Sequence, residues 1–339
     1  MMKAQSPTLN DVAMQAGVST ATVSRCLNEP EKVTAKTREK VMATVTALGY
    51  SPNFGARAMA TQRTNTIGAV IPTMENAIFA RGLQAFQEEL WRLGFNLMVA
   101  SSSYQRELEV AQVRSLVARG ADALLLIGHI RDPQIYALLD AQQIPSLVTW
   151  TYDPSAARPS VGFDNCAAMR DMARKVLELG HQRLAMMTAP LARNDRAQAR
   201  LLGLKDAMVE FGLNSDALPI VEYPYGIENG AIGFAALMQG STKPTAIFCG
   251  NDVLAVGALR GARDMGLNVP GDVSIIGFDD IELSQVTYPL LTTVHVPHRD
   301  MGQRAARALV RHLNDDAPLE SQELHTELRL RASLGPPPR

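Results

Sequence analysis

The spacing of hydrophobic residues changes once along the chain, near residue 65. Before it, apolar residues recur every three or four positions, as at Val12, Ala13 and Ala16, which predicts short amphipathic helices. After it, apolar runs such as TIGAVI and ADALLLIG alternate with longer helical segments. Continuous apolar strands that alternate with helices are typical of parallel sheets covered on both faces. We therefore predict an all-α head followed by an α/β body.

The segment TLNDVAMQAGVSTATVSRCLN (8–28) predicts two helices joined by a tight turn. Thr8 and Asp11 form a capping-box pattern, Gly17 allows a left-handed turn, and Ser19 can cap the second helix. The outward face of that helix carries short polar or methyl side chains and one arginine, at Thr20, Ala21, Thr22, Ser24, Arg25 and Asn28. This face suits the major groove of DNA. The alternative is an α-hairpin whose polar face is merely solvated, although such a face is usually rich in Glu and Lys.

The next segment and the charge distribution favour the DNA-reading interpretation. A third helix is predicted from a cap at Thr34 to a stop at Gly49, and residues 53–61 form a run too short to be a stable helix alone. Residues 1–63 hold eight Lys and Arg against four Asp and Glu, whereas the whole chain of 339 residues has a net charge of −1. A basic head on an acidic body fits a head that meets phosphate.

The body contains two series of strands and helices, about 95 and 125 residues long. We therefore predict two similar lobes, each a doubly wound parallel sheet. Ligands bind at the carboxyl ends of the strands in such folds. The aromatic and polar residues that we place there are Thr73, Phe79, Trp150, Phe163, Arg196, Arg200, Tyr225, Asn251 and Asp279. Aromatic faces combined with Asp, Asn and Arg suit a sugar, so we favour a sugar or sugar acid over a purine. The plainer alternative for Asn251 is a helix cap.

The motifs TLNDVAMQAGVSTATVSRCLN, VTAKTREKV, LGYSPN and ARAMA closely resemble the lactose/galactose-repressor (LacI/GalR) family of bacterial regulators. The resemblance runs in order over the head and extends over nearly the whole chain. It implies a helix-turn-helix head, a hinge helix that folds on DNA, and a body like the periplasmic sugar-binding proteins. The implied domains are the head (1–52), the hinge and linker (53–65), an N-terminal lobe (66–163 plus about 294–320) and a C-terminal lobe (164–293 plus about 321–334).

The resemblance also implies roles for individual residues. Thr20, Ala21 and Arg25 match base-reading positions, and phosphate contacts are expected from Ser19, Thr22, Ser24 and Asn28. The hinge positions are Tyr50, Asn53, Ala56 and Met59, where members usually carry Leu at the position of Met59. Arg200, Asn251 and Asp279 match the positions that grip the effector, and Phe163 and Tyr225 match its aromatic wall. Val296 stands where some members carry Gln.

These features predict a DNA-binding transcriptional regulator, most simply a repressor, whose affinity for operator DNA a small effector controls. A pseudo-palindromic operator requires a homodimer. We expect no enzymatic activity, because P-loop, GxGxxG, HExxH and GxSxG motifs are absent, and we expect no cofactor or metal. Three scattered cysteines and no apolar leader predict a cytoplasmic protein without a membrane partner. The competing classes are a sugar-transport component, which needs an export signal, and an α/β enzyme with a DNA-binding domain.

Overall fold

The computed structural model describes residues 7–51, 63–75, 77–240 and 242–338. Contacts between residues divide the chain into two units, Met1–Thr64 and Asn65–Arg339. The predicted hinge positions Asn53, Ala56 and Met59 lie outside the described residues, as does most of the predicted linker.

The first unit is helical, as predicted. Its elements are α1 (Leu9–Ala16), α2 (Thr20–Asn28), a short 3₁₀ turn (Pro30–Lys32) and α3 (Ala35–Leu48). Thr8 and Asp11 form the predicted capping box, and Gly17 ends α1 with a left-handed φ of 59°. The Ser19 side chain accepts the Thr22 amide and starts α2. The sequence thus fixes both the end of the first helix and the start of the second.

A small core holds the three helices of the head together. It consists of buried side chains at the predicted helical spacing, namely Val12, Ala13, Ala16, Val23, Cys26 and Val41. The partly buried Tyr50 packs against this core, and its amide donates to the Val45 carbonyl just beyond the end of α3. Helix α2 buries Val23 and Cys26 and packs Leu27 against this core, whereas Thr20, Ala21, Arg25 and Asn28 are exposed.

The second unit begins with a six-stranded parallel sheet, whose edge strand β11 (Gln322–Glu323) comes late in the chain; the strand order is β11-β5-β4-β3-β1-β2. The elements of this N-terminal lobe are β1 (Thr66–Ile71), α4 (Ala77–Arg92), β2 (Asn96–Ser101), α5 (Arg106–Ala118), β3 (Ala123–Ile127), α6 (Pro133–Ala141), β4 (Ser146–Thr149) and β5 (Ser160–Gly162). Strands β1, β3 and β4 are buried along their whole length, as continuous apolar runs predict. One apolar cluster covers each face of the sheet.

The C-terminal lobe repeats this architecture around a four-stranded parallel sheet, in the order β7-β6-β8-β9. Its elements are α7 (Asn165–Glu178), β6 (Leu184–Thr188), α8 (Asp195–Glu210), β7 (Ile220–Glu222), α9 (Ile227–Met238), β8 (Ala246–Cys249), α10 (Asp252–Asp264) and β9 (Ser274–Ile276). Apolar clusters again cover both faces. Two similar lobes of parallel α/β structure are therefore confirmed.

The chain passes between the lobes after β5, after β10 and after β11. Strand β10 (Thr293–His295) lies beside β9 and pairs with β12 (Glu327–Arg329), whereas α11 (His298–Asp315) packs on α4. Strand β11 (Gln322–Glu323) pairs with β5 in the first sheet. The last crossover therefore follows residue 323 instead of the predicted 320, because β11 completes the edge of the N-terminal sheet.

Candidate functional site

The recognition helix predicted in the head presents its polar face outward. Four of its predicted contact residues are exposed, namely Ser19, Thr20, Ala21 and Arg25, as is Asn28 at its end; Thr22 and Ser24 are half-buried. Among the described residues, the Arg25 guanidinium forms no ion pair, so it is available for a base edge or a phosphate. The Asn28 amide instead donates to the Ser24 carbonyl at 3.0 Å. Asn28 therefore supports the end of the helix in this structure.

Two cavities lie between the lobes of the body, at the carboxyl ends of the strands. The larger has a volume of about 560 Å³, and Thr73, Arg196 and Tyr225 are among its lining residues. The smaller measures only about 20 Å³, and we call it the deep chamber; its lining consists of Ile78, Phe79, Tyr104, Trp150, Phe163, Arg196, Arg200, Tyr225 and Asp279. Eight of the nine predicted effector residues thus line one cavity or both.

Arg200 is held rigidly in the deep chamber. Its Nη1 donates to Asn165 Oδ1 at 2.6 Å, and its Nη2 donates to the Tyr225 hydroxyl at 3.0 Å. The guanidinium lies 4.8 Å from the centre of the Phe278 ring, which stacks on Phe163. Arg200 Nε is buried without a hydrogen-bond partner among the described residues. The two hydrogen bonds fix the plane of the guanidinium and leave its Nε–H without a partner.

Asp279 is the second polar group of the deep chamber. Its backbone has a left-handed φ of 107°, although its amide donates to the Val294 carbonyl in the adjacent strand. Burial raises the pKa of the Asp279 carboxyl well above its ordinary value, and the Arg200 charge opposes this rise. No hydrogen bond to this carboxyl occurs within the described part of the chain. A strained backbone that carries a buried, unpartnered carboxyl is typical of a ligand site.

Asn251 is the one predicted effector residue that lies outside both cavities. It is buried, and its Oδ1 accepts the Leu254 amide at 2.9 Å, so it caps α10. Asn251 is thus a helix cap in this structure, while its Nδ2 is buried without a hydrogen-bond partner among the described residues. Its neighbour Asp252 is structural too, because its carboxylate accepts hydrogen bonds from Thr293 and from the Ile281 amide. Burial raises the pKa of Asp252 to about 7.

Two further polar residues of the strand ends are structural. Asp164 caps α7 by accepting two backbone amides. Asp280 binds Arg331, Ser284 and His295. Val296, at the position where some relatives carry Gln, lies in the apolar core of the C-terminal lobe. The described residues contain no cluster of His, Cys, Asp and Glu that could hold a metal ion.

A set of hydrogen bonds, which we call the lobe clasp, joins the lobes beside the larger cavity. Asp195, at the start of α8, accepts hydrogen bonds from the backbone amides of His129 and Ile130. Arg196 Nη1 donates to the Ile127 carbonyl at 3.3 Å and to Asp195 at 2.8 Å. Residues 127–130 follow β3 in the N-terminal lobe, whereas α8 belongs to the C-terminal lobe. The clasp therefore links the two lobes directly across the cleft.

Sequence reasoning missed several residues of the larger cavity. Tyr104 lines both cavities, and Arg106, Glu109 and Arg193 line the larger one. These residues lie in or just after the loops that follow β2 and β6, at the same edge of each sheet as the predicted ones. The segment VASSSYQ ends a predicted strand, so the rule that selected Thr73 would also have selected Tyr104.

Comparisons with known proteins agree with both units. Residues 8–53 match the family model of bacterial regulatory proteins of the lacI family, and residues 173–334 match a periplasmic binding protein-like domain. The chain is 32% identical to catabolite control protein A of Priestia megaterium, over 91% of this chain and 93% of that protein. It is 33% identical to the HTH-type transcriptional repressor PurR of Salmonella paratyphi B, over 98% of each chain.

A solved structure is similar to this chain along nearly its whole length. The lac repressor dimer bound to operator and the anti-inducer ONPF has a TM-score of 0.85 with this chain, with 28% identity over 97% of this chain and 99% of that one. A helix-turn-helix head on a periplasmic-binding-protein-like body defines a class of regulators that bind DNA under the control of an effector. This chain belongs to the LacI family of that class. It is a repressor-type transcriptional regulator.

Proposed function

We propose that the effector of this regulator is a sugar or sugar acid that binds between the lobes of the body and controls the affinity of a homodimer for its operator in the cytoplasm. The observation that carries this proposal is the deep chamber. Arg200 and Trp150 line this chamber, and their Nε and Nε1 atoms are buried without a hydrogen-bond partner among the described residues. No described residue donates a hydrogen bond to the Asp279 carboxyl, which lies in the same wall. Buried polar groups are normally paired, so a ligand rich in hydroxyl groups would satisfy them.

The aromatic lining of the chamber supports a ring-shaped ligand with an apolar face. Phe79 and Trp150 meet edge to face with ring centres 5.3 Å apart, and Phe163 stacks on Phe278. Rigid rings beside planar polar groups suit a sugar, whose C–H face packs on a ring while its hydroxyls reach Arg200 and Asp279. Ribose is bound in the solved structure of a LacI family regulator from Enterococcus faecium, which is 26% identical over 80% of this chain, with a TM-score of 0.72.

The larger cavity supports the acidic member of this ligand class. Arg193 lines it without forming an ion pair to any described residue, and Arg196 lines it beside the start of α8. Arg196 is paired with Asp195, so Arg193 is the cation that would meet an anionic group of the ligand. Glu109, on the opposite wall, is already paired with Arg131 at 2.7 Å, so its charge is compensated.

The structure of the head supports the proposal of a homodimer. Each head carries one recognition helix, and a single helix contacts one half-site, so recognition of a pseudo-palindromic operator needs two copies. We propose that the body serves in signalling and not in catalysis, because its relatives in the LacI family are regulators.

Thermal unfolding of the full-length protein tests the proposed ligand class. A ligand at 100 times its dissociation constant adds about 2.7 kcal/mol to the free energy of unfolding. The panel contains glucose, ribose, gluconate and other aldonates, together with adenine and hypoxanthine as the purine alternative. We expect stabilisation by a sugar or aldonate in the wild type and in Arg183→Ala, a control on the exposed surface of the same lobe. Arg200→Gln should abolish it. Stabilisation by a purine alone would contradict the proposal.

A further inference from the structure

The deep chamber is too small for the ligand that its walls suit. Its volume of about 20 Å³ leaves room for about one water molecule. Pockets for small molecules measure roughly 300–1,000 Å³, a range that includes the larger cavity of about 560 Å³. An effector therefore has room in the larger cavity, but in this structure it cannot reach both Arg200 and Asp279.

Tyr104 is the residue of the N-terminal lobe that lies between the deep chamber and the larger cavity. Both cavities include it in their walls, and the other two residues that they share, Arg196 and Tyr225, come from the C-terminal lobe. Tyr104 is 49% exposed and lines the larger, open cavity as well as the deep chamber. Burial nevertheless raises the pKa of its phenol, and Tyr225, Arg196, Arg200 and Asp279 all act on that pKa. In the wall of the deep chamber, Tyr104 lies together with Arg196, Arg200, Tyr225 and Asp279 of the C-terminal lobe.

The backbone holds Tyr104 in this place against its own preference. Ser103 and Tyr104 have left-handed φ values of 50° and 58°, which are unusual for two successive residues that are not glycine. Two hydrogen bonds fix the turn, from the Ser102 amide to the Ile71 carbonyl at 2.9 Å and from the Gln105 amide to the Ser102 carbonyl at 2.8 Å. Strain of this kind persists where the surrounding structure imposes it, and it concentrates at ligand clamps.

We propose that Tyr104 is a steric gate that closes the deep chamber and that an effector must displace it to reach Arg200 and Asp279. Tyr104 thereby sets the affinity and the size limit of the effector without supplying the main polar contacts. This inference rests on the proposed role of the two cavities as the effector site. Removing the ring joins the two cavities, whereas removing only the hydroxyl leaves the barrier in place.

The two tryptophans of the chain allow a test that needs no knowledge of the effector. Trp150 lines the deep chamber and is 3% exposed, whereas Trp91 is 80% exposed on the surface. In a Trp91→Phe background, Trp150 is the only tryptophan, and acrylamide quenching of its fluorescence reports access to the chamber. We expect weak quenching in this background and with Tyr104→Phe. Tyr104→Ala should raise the quenching constant several-fold, and Tyr104→Leu should give an intermediate value.

Two results would overturn the gate. One is unchanged quenching in Tyr104→Ala, and the other is equal quenching in Tyr104→Phe and Tyr104→Ala. A melting curve for each variant shows whether it is folded. If Tyr104→Ala does not fold, the quenching constant of Tyr104→Leu decides the test.

A second measurement connects the gate to binding. If displacement of Tyr104 opposes binding, the apparent dissociation constant of gluconate should fall about tenfold in Tyr104→Ala, because more molecules are competent to bind. Weaker gluconate binding in Tyr104→Ala than in the wild type would contradict the gate. If gluconate binds to neither protein, the aldonate assignment fails, and the quenching result still decides the role of Tyr104.

Discussion

Replacing Gly128 with Ala perturbs the lobe clasp through a single methyl group. Gly128 has a φ of +74°, and a Cβ at this position would overlap Arg196 Nη1 and Asp195 Oδ1. The left-handed backbone costs an L-residue about 1–2 kcal/mol, and displacing both side chains removes three inter-lobe hydrogen bonds worth about 0.5–1.5 kcal/mol each. We therefore expect Gly128→Ala to lower the free energy of unfolding by about 3–6 kcal/mol.

Gly212→Ala separates backbone strain from the loss of the clasp. Gly212 has the same φ of +74°, but no neighbouring atom lies within 4 Å of the added Cβ. Backbone strain alone should therefore lower the free energy of unfolding of Gly212→Ala, by about 1–2 kcal/mol. Urea unfolding followed by circular dichroism measures this free energy in both variants. Gly128→Ala should also weaken effector binding at least tenfold, because fewer molecules have the lobes joined by the clasp, whereas Gly212→Ala should not. Equal losses of stability in the two variants, with unchanged effector binding, would refute the reasoning.

Three further predictions concern the head and the buried carboxyls. Arg25→Ala should weaken specific DNA binding by about 1–3 kcal/mol and relax preference at one base pair per half-site, whereas Lys36→Ala should weaken binding to all sequences alike, as binding to a randomised operator library will show. Asp279→Asn should retain more effector affinity in titration calorimetry than Asp279→Ala, because burial raises the pKa of the Asp279 carboxyl and so favours its uncharged form, which Asn mimics with a donor and an acceptor. Because the folded-state pKa of Asp252 is raised to about 7, its contribution to stability is greatest below about pH 4 and falls by about 4 kcal/mol as the pH rises through 7. The free energy of unfolding of the wild type, minus that of Asp252→Asn, should fall between about pH 4 and pH 7. A difference that stays constant with pH would contradict this prediction.

The sequence predicted local structure well where one residue type determines the backbone. Thr8 and Asp11 specify a helix start by themselves, and Gly17 specifies a helix end. The buried strands were equally clear, because a strand covered on both faces must be apolar throughout. The two-residue strand β11 was not recognisable, because an edge strand of this length has no periodicity. The predicted boundary between the lobes was therefore early.

The sequence predicted most residues of the candidate site but not how they are arranged around the two cavities. The strand-end rule placed Arg200 and Asp279 together although they lie far apart in the sequence. It could not show that Asn251 Oδ1 caps a helix, since an Asn at a strand end can cap a helix or contact a ligand. Nor could it show that Tyr104 stands between two cavities, because that depends on the approach of one lobe to the other.

The central claim is that a ligand bound between the lobes controls operator affinity, and one titration tests it most directly. Fluorescence anisotropy measures binding of the full-length protein to an operator chosen by in vitro selection, with and without a saturating ligand from the thermal screen. The ligand should change the operator dissociation constant of the wild type by about 5–150-fold, the usual range of allosteric coupling. Arg200→Gln should bind the operator with wild-type affinity in the absence of ligand and should not respond to it. A wild-type response in Arg200→Gln, at the same ligand concentration, would contradict the account.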